Sequence, residues 1–208
     1  NAISSFVRTV VSRDTPFDRY VHGEKGSLTP LAIKGLELFK GKAQCIQCHN
    51  GPLLSDNGYH NIGVPENPEI LTNPFRHISL RFDSLMLGVP GYHKITHDLG
   101  RYTITKDNRD KGRFRTPSLR EAARTAPYMH NGIFSTLEEV IDFYDRGGGK
   151  DPFGTKSPLL KPLGLTRDEK TALRAFLDSL SSPEVKAEKA TDGYDYKVLP
   201  LGRWEMSK

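Results

Sequence analysis

Apolar residues recur at helical spacing in four stretches of the chain and lose their periodicity in one long one. Ile3, Phe6, Val7 and Val10 share a face at the start. Leu31, Leu36, Leu38 and Phe39 follow Thr29-Pro30, a capping residue and a first-turn proline, which predicts a helix beginning there. Thr136-Leu137-Glu138-Glu139 has the form of a capping box. The helix it opens puts Leu137, Val140, Ile141 and Tyr144 on one side, and Gly147-Gly148-Gly149 stops it. A last helix begins at Thr166 with the face Ala172, Leu173, Phe176, Leu177 and Leu180, and Pro183 follows its end. Two shorter helices are predicted, one near Pro16 to Tyr20 and one capped by Thr116-Pro117.

Residues 51–115 show little period and much Gly, Pro, Asn and Asp. A stretch this long inside a compact domain is either disordered or wrapped around a ligand. Interleaved Tyr59, His60, Ile62, Val64, Leu80, Phe82, Leu85 and Leu87 argue for wrapping. The tail 184–208 is polar apart from Tyr194, Tyr196, Val198, Leu199, Leu201 and Trp204, and is expected to strap across the surface. The pattern predicts an all-α, loop-rich fold.

The ligand to be wrapped is indicated by the two cysteines of the chain, in Cys45-Ile46-Gln47-Cys48-His49. This is the attachment sequence of a c-type haem. Two thiols add across the vinyl groups as thioethers, and the adjacent imidazole of His49 reaches the iron as proximal ligand. A zinc site would need a second pair of Cys or His at matching spacing, which is missing. A thioredoxin-like dithiol would need a preceding strand, where a helix is predicted instead. His60, His77, His93 and His97 in the irregular stretch are chemically able to ligate iron, though a loop histidine is more often a surface or hydrogen-bonded residue.

Composition narrows the class further. The 208 residues suffice for one large domain or two small ones with a real core. The net charge of +5 is scattered, and the basic residues from Arg109 to Arg124 are interleaved with Asp110 and Glu121. Nucleic acid is therefore not an expected partner. A rim around haem propionates, or a face for an acidic partner, fits better. No apolar run approaches the roughly 18 residues of a membrane span. Covalent haem attachment follows export, so a periplasmic or equivalent compartment is expected, with any leader removed or lying upstream.

Several further motifs resemble one family. They are Ser12-Arg13-Asp14 with Pro16-Phe17-Asp18-Arg19, the haem sequence with Asn50-Gly51-Pro52, and His60-Asn61-Ile62-Gly63-Val64-Pro65. They continue in Gly112-Arg113-Phe114-Arg115-Thr116-Pro117-Ser118-Leu119-Arg120, Thr125-Ala126-Pro127-Tyr128-Met129-His130-Asn131-Gly132, Leu137 to Gly148, and the final helix. In this order, from Ser12 to about Leu180, they resemble the C-terminal haem domain of bacterial dihaem cytochrome c peroxidases, and more closely the MauG-like branch. Arg76 to His97 fits poorly and looks like an insertion.

The resemblance implies a cytochrome c-like domain around one covalent haem, tethered by Cys45 and Cys48 and ligated by His49. It implies the electron-relaying half of a peroxidase-like enzyme, whose peroxide-reacting haem lies on an N-terminal domain or another haem-bearing chain. A redox protein is the expected electron donor or acceptor. Main-chain oxygens of Thr125 and Pro127 become candidate calcium ligands between the halves. The distal iron position falls on Tyr144, as in the MauG-like branch, with Met129 as the alternative and a histidine or open site as a third. Residues 1–26 are then an interdomain helix and linker, 27–183 the haem domain and 184–208 a surface tail. The uncapped helix at Asn1 adds to the expectation of a preceding domain. The alternatives are a free-standing monohaem electron carrier and a haem subunit of a larger redox complex.

Overall fold

The computed structural model describes residues 3–4, 12–183, 195–198 and 204–207. Most of the opening helix and most of the tail therefore lie outside the described residues. In chain order the helices are α1 (Pro16–Val21), α2 (Pro30–Lys40), α3 (Pro68–Thr72), α4 (Pro74–Met86), α5 (Tyr102–Thr105), α6 (Leu137–Asp145) and α7 (Arg167–Asp178). The strands are β1 (Tyr59–His60), β2 (Phe114–Arg115), β3 (Asp195–Val198) and β4 (Trp204–Ser207). β1 pairs antiparallel with β2, Tyr59 opposite Arg115, and β3 pairs antiparallel with β4, Asp195 opposite Ser207. The molecule is helix-dominated and rich in loops, the class expected.

Each principal helix starts as its sequence dictates. Thr15 and Asp18 form a reciprocal capping box on α1, and Thr29 accepts from the Ala32 N–H at the start of α2. Thr136 with Glu139, and Thr166 with Glu169, do the same for α6 and α7. The core lies where α2 crosses α7. Gly35 permits the approach: a Cβ there would stand 2.0 Å from the Ala172 carbonyl oxygen and 2.8 Å from Phe176 Cβ. Phe176 is fully buried, with Phe39 at 5.0 Å and Phe17 edge-on at 5.5 Å. Leu28, Leu36, Leu137, Ile141, Leu173 and Leu180 complete the cluster, and Cys45 and Tyr128 pack against its margin.

Two stretches differ from the expectation. Residues 117–121 form no helix; a short 3-10 turn at Ala122–Arg124 follows instead. Here tertiary bonds outweigh the capping signal, because Ser118 Oγ and Arg120 Nε donate to the carbonyls of Leu53 and Pro52, both at 2.7 Å. Within 51–115, α3 and α4 are regular, each opened by Asn-Pro: Asn67 accepts from the Glu69 N–H and Asn73 from the Phe75 N–H.

The crossing makes a direct stability prediction. Gly35→Ala must push α2 away from α7 and should cost about 1–3 kcal/mol or more. Phe176→Ala, which leaves a cavity, should cost about 3–5 kcal/mol. Denaturant midpoints of the haem-loaded protein check both, and an unchanged midpoint for Gly35→Ala would refute the close crossing.

Candidate haem site

The site grows out of the end of α2. Gly41 caps that helix, the Ala43 N–H returns to the Leu38 carbonyl, and Gln44 turns the chain through a left-handed conformation. Cys45–Gln47 then form a 3-10 turn, and the N–H groups of Cys48 and His49 both donate to the Cys45 carbonyl, at 3.3 and 2.9 Å. Both thiols and the imidazole are thereby presented from a single turn. The thiols are half-buried and not joined to each other.

Burial pushes the Cys45 thiol up to about 12, and it raises Cys48 as well, helped by the nearby Asp56 carboxylate. Neither is a ready thiolate, which is the opposite of a redox dithiol such as thioredoxin's.

His49 is held in one tautomer. Its Nδ1 lies 3.0 Å from the Leu54 carbonyl oxygen, which can only accept, so the proton sits on Nδ1 and Nε2 keeps its lone pair. Burial lowers the ring's pKa, against the Leu54 carbonyl, the Asp56 charge and the Pro117 carbonyl, which raise it. A neutral imidazole with a fixed donor nitrogen is the form that binds a metal. The donor set, two adjacent thiols and one oriented imidazole, fits a covalent haem.

The loop that supplies Leu54 is itself fastened. The N–H groups of Leu54 and Ser55 return to Gly51 and Asn50, and that of Asp56 reaches the Cys48 carbonyl at 2.7 Å. Ser55 Oγ donates to the Thr116 carbonyl in the interior. Arg120 adds a clamp from a distance. It makes two bonds to the Asp18 carboxylate, at 3.0 and 2.8 Å, while its Nε holds the Pro52 carbonyl. Two motifs far apart in sequence, Pro16-Phe17-Asp18-Arg19 and Ser118-Leu119-Arg120, thus meet at the haem loop.

Tyr144 lies on α6, half-buried, with its ring edge-on to Phe143 at 5.6 Å. Burial pushes its phenol well above the usual tyrosine range, and the thiols of Cys45 and Cys48 push it the same way. The phenol therefore shares the surroundings of both cysteines. Met129 sits in a loop closed by the Tyr128 N–H to Phe134 carbonyl bond of 2.7 Å, half-buried, with φ of 69°. Thr125 and Pro127 are exposed, and the Thr125 hydroxyl bonds the Ala122 carbonyl.

His60 is drawn to Asp56, its Nε2 3.0 Å from the carboxylate. Cys48, Asp56 and His60 bring their ligand atoms within 4.8 Å of one another. Thioether formation at Cys48 would leave that group with two strong donors, too few for a structural zinc. His97 faces Glu66 at 3.9 Å and His93 lies edge-on to Tyr92, both away from the cysteines in sequence and partners. His77 is half-buried on α4. Several arginines in and beside the basic stretch are paired with carboxylates: Arg101 and Arg113 with Asp110, Arg109 with Asp107, Arg124 with Glu121.

Comparison with known proteins bears on this geometry. No protein-family model matches the chain. It is 50% identical over 204 residues to cytochrome-c peroxidase IdrP1 of Pseudomonas sp. strain SCT, covering 96% of this chain and 53% of that one. It is 33% identical over 183 residues to the methylamine utilization protein MauG of Methylorubrum extorquens, covering 87% of this chain. The chain belongs to the cytochrome-c peroxidase and MauG family.

Among solved structures, a MauG-like protein associated with microbial copper homeostasis superposes with a TM-score of 0.68 at 34% identity, over 88% of this chain and 56% of that one. The diheme peroxidase BthA of Burkholderia thailandensis gives 0.60 at 25% identity, over 81% and 46%. The chain spans about half the length of the curated relatives it matches. A c-type haem and a redox role follow from the family.

The Leu54 carbonyl and the Asp18–Arg120 clamp are not among the features expected from the sequence. A main-chain oxygen leaves no residue signature, whereas the clamp was signalled by the two motifs without saying that they touch.

The clamp has a pH signature. Arg120 donates to Asp18 and holds its carboxyl below the usual range, with Thr15 assisting against burial. A depressed carboxylate stabilises the fold above its unfolded pKa and loses that contribution as pH falls through the folded one. Thermal midpoints should fall as the pH drops below the ordinary aspartate range of about 4 in the parent, and less steeply in Asp18→Asn. Equal slopes would remove the clamp from the account.

Proposed function

We propose that this chain is the electron-relaying haem half of a dihaem, peroxidase-type oxidoreductase working in the periplasm or an equivalent exported compartment. The carrying observation is the single turn that presents Cys45, Cys48 and a tautomer-locked His49. Cys45 and Cys48 would tether one haem c, and His49 would ligate its iron through Nε2. The haem supplies one-electron redox chemistry. The second haem would lie on the half that the relatives have beyond the stretch matched here, continuous with this chain or separate. Among the described residues no helix is long and apolar enough to cross a membrane.

Tyr144 is the preferred distal ligand and Met129 the alternative. Support for Tyr144 comes from its sharing the surroundings of both cysteines. Its phenol is driven towards neutrality by burial, so only a bond to ferric iron would hold it as the anion. A hard anionic ligand favours the ferric state and lowers the potential, whereas a thioether raises it. Thr125 and Pro127 would offer main-chain oxygens to a calcium ion shared with the other half, consistent with their exposure.

The ligand choice is tested in the haem-loaded protein. Tyr144→Phe should open the sixth position and change the ferric spectrum, and Met129→Leu should leave it nearly unaltered. The reverse pattern would make Met129 the ligand and Tyr144 a packing residue. Calcium removal by a chelator should loosen contact between the halves, read by sedimentation or limited proteolysis. No bound calcium and no response would withdraw Thr125 and Pro127.

The functional reading is tested by peroxide consumption. The full-length dihaem protein should turn over hydrogen peroxide with a small redox protein as donor. A full-length protein that exchanges electrons but never consumes peroxide would be a carrier instead.

A further inference from the structure

The helix α4 is turned inside out. Phe75, Ile78, Phe82, Leu85 and Met86 form one stripe about 100° wide, yet Phe75 is 77% exposed, Met86 69%, Ile78 61% and Phe82 57%. The opposite face, on the side of the Tyr92–Lys94 turn and Ile95, carries polar residues. Ser84 is buried and donates to the Leu80 carbonyl, and Arg81 Nε donates to the Ile95 carbonyl at 3.0 Å. A surface helix ordinarily buries its apolar stripe and shows its polar one to water. Ile104, 68% exposed, is a further uncovered apolar residue of the same excursion. Such a continuous apolar face marks a place where something docks.

We infer that the apolar face of α4 is the seat of the other haem-bearing half of the enzyme. The inference rests on the dihaem reading above and specifies its surface. The occupant follows from what is missing. This chain has one haem attachment sequence, and it accounts for 53% of IdrP1 and 46% of the chain of BthA, a protein described as a diheme peroxidase. A half of similar length, with its own haem, remains to be placed. Domains of that size bury about 600–1,500 Å² against each other, and the inverted face of α4 is ready-made for this. A lipid surface fits less well, because an interfacial helix is rich in Lys and Arg along its polar face, whereas α4 has no lysine and two arginines, of which Arg81 is bonded to the Ile95 carbonyl.

Hydroxyl-radical footprinting of the full-length protein tests this, with the haem count measured on the same sample. Phe75, Phe82 and Met86 should label about ten-fold more slowly in the native protein than in the same protein denatured, and dilution should not alter the ratio. Phe82→Glu should restore labelling of Met86 while leaving the Soret band of the His49 haem unchanged. Labelling at the denatured rate with two haems present would overturn the docking surface alone. Protection lost on dilution would assign the face to a second copy, and protection gained only with anionic vesicles would assign it to a membrane; either overturns the proposal. A count of one haem in the full-length protein would overturn the dihaem reading itself, and the named occupant with it.

Discussion

The approach of α2 to α7 at Gly35 is the constraint on which the rest of the molecule depends. Without a Cβ at that position, the backbone of α2 comes close enough to the Ala172 carbonyl for Phe176 to fill the space between Phe39 and Phe17. That fixes where α2 ends. The cysteine turn begins five residues after Lys40, tied back by the Ala43 to Leu38 bond, so the position of Cys45 and Cys48 is set by the helix crossing. Core packing and cofactor placement are one problem here, and a shift of α2 would move both thiols together.

From that turn outward the polar bonds do one job, which is to hold the 50–56 loop against His49. The Leu54 carbonyl selects the tautomer, the Ser55 hydroxyl anchors the loop to the Thr116 carbonyl, and Arg120 grips both Pro52 and Asp18. Asp18 in turn completes the cap of α1, and the Phe17 N–H donates to the Ser179 carbonyl after α7. A chain of hydrogen bonds therefore runs from His49, through a bidentate ion pair, to the last core helix. Such fixation would suit the proposed role of His49, since an iron ligand that moves on oxidation would slow electron transfer.

Much of this was legible in the amino-acid sequence, and what was not has physical reasons. Cys45, Cys48 and His49 stand out because haem attachment requires a fixed spacing, and the structure presents the three from one turn. The helices at Thr29, Thr136 and Thr166 were readable because capping is local. The expected helix after Thr116 failed because Ser118 and Arg120 are committed to Leu53, Pro52 and Asp18, partners up to 102 residues away that no local rule can see. The helix α4 was passed over because it lies in a stretch dominated by Gly, Pro and Asn, though Asn73-Pro74 and the Phe75, Ile78, Phe82 spacing were present. Tyr144 was reached through family resemblance; the residues alone showed a core face, and the structure adds its proximity in charge to both thiols.

The central claim is that Cys45 and Cys48 carry a covalent haem whose iron is bound by His49. Intact mass of the natively exported protein, combined with alkylation of free thiols, tests it most directly. One haem should be added to the mass of this half, with no alkylation at Cys45 or Cys48. A polypeptide of unmodified mass with both thiols alkylated would contradict it.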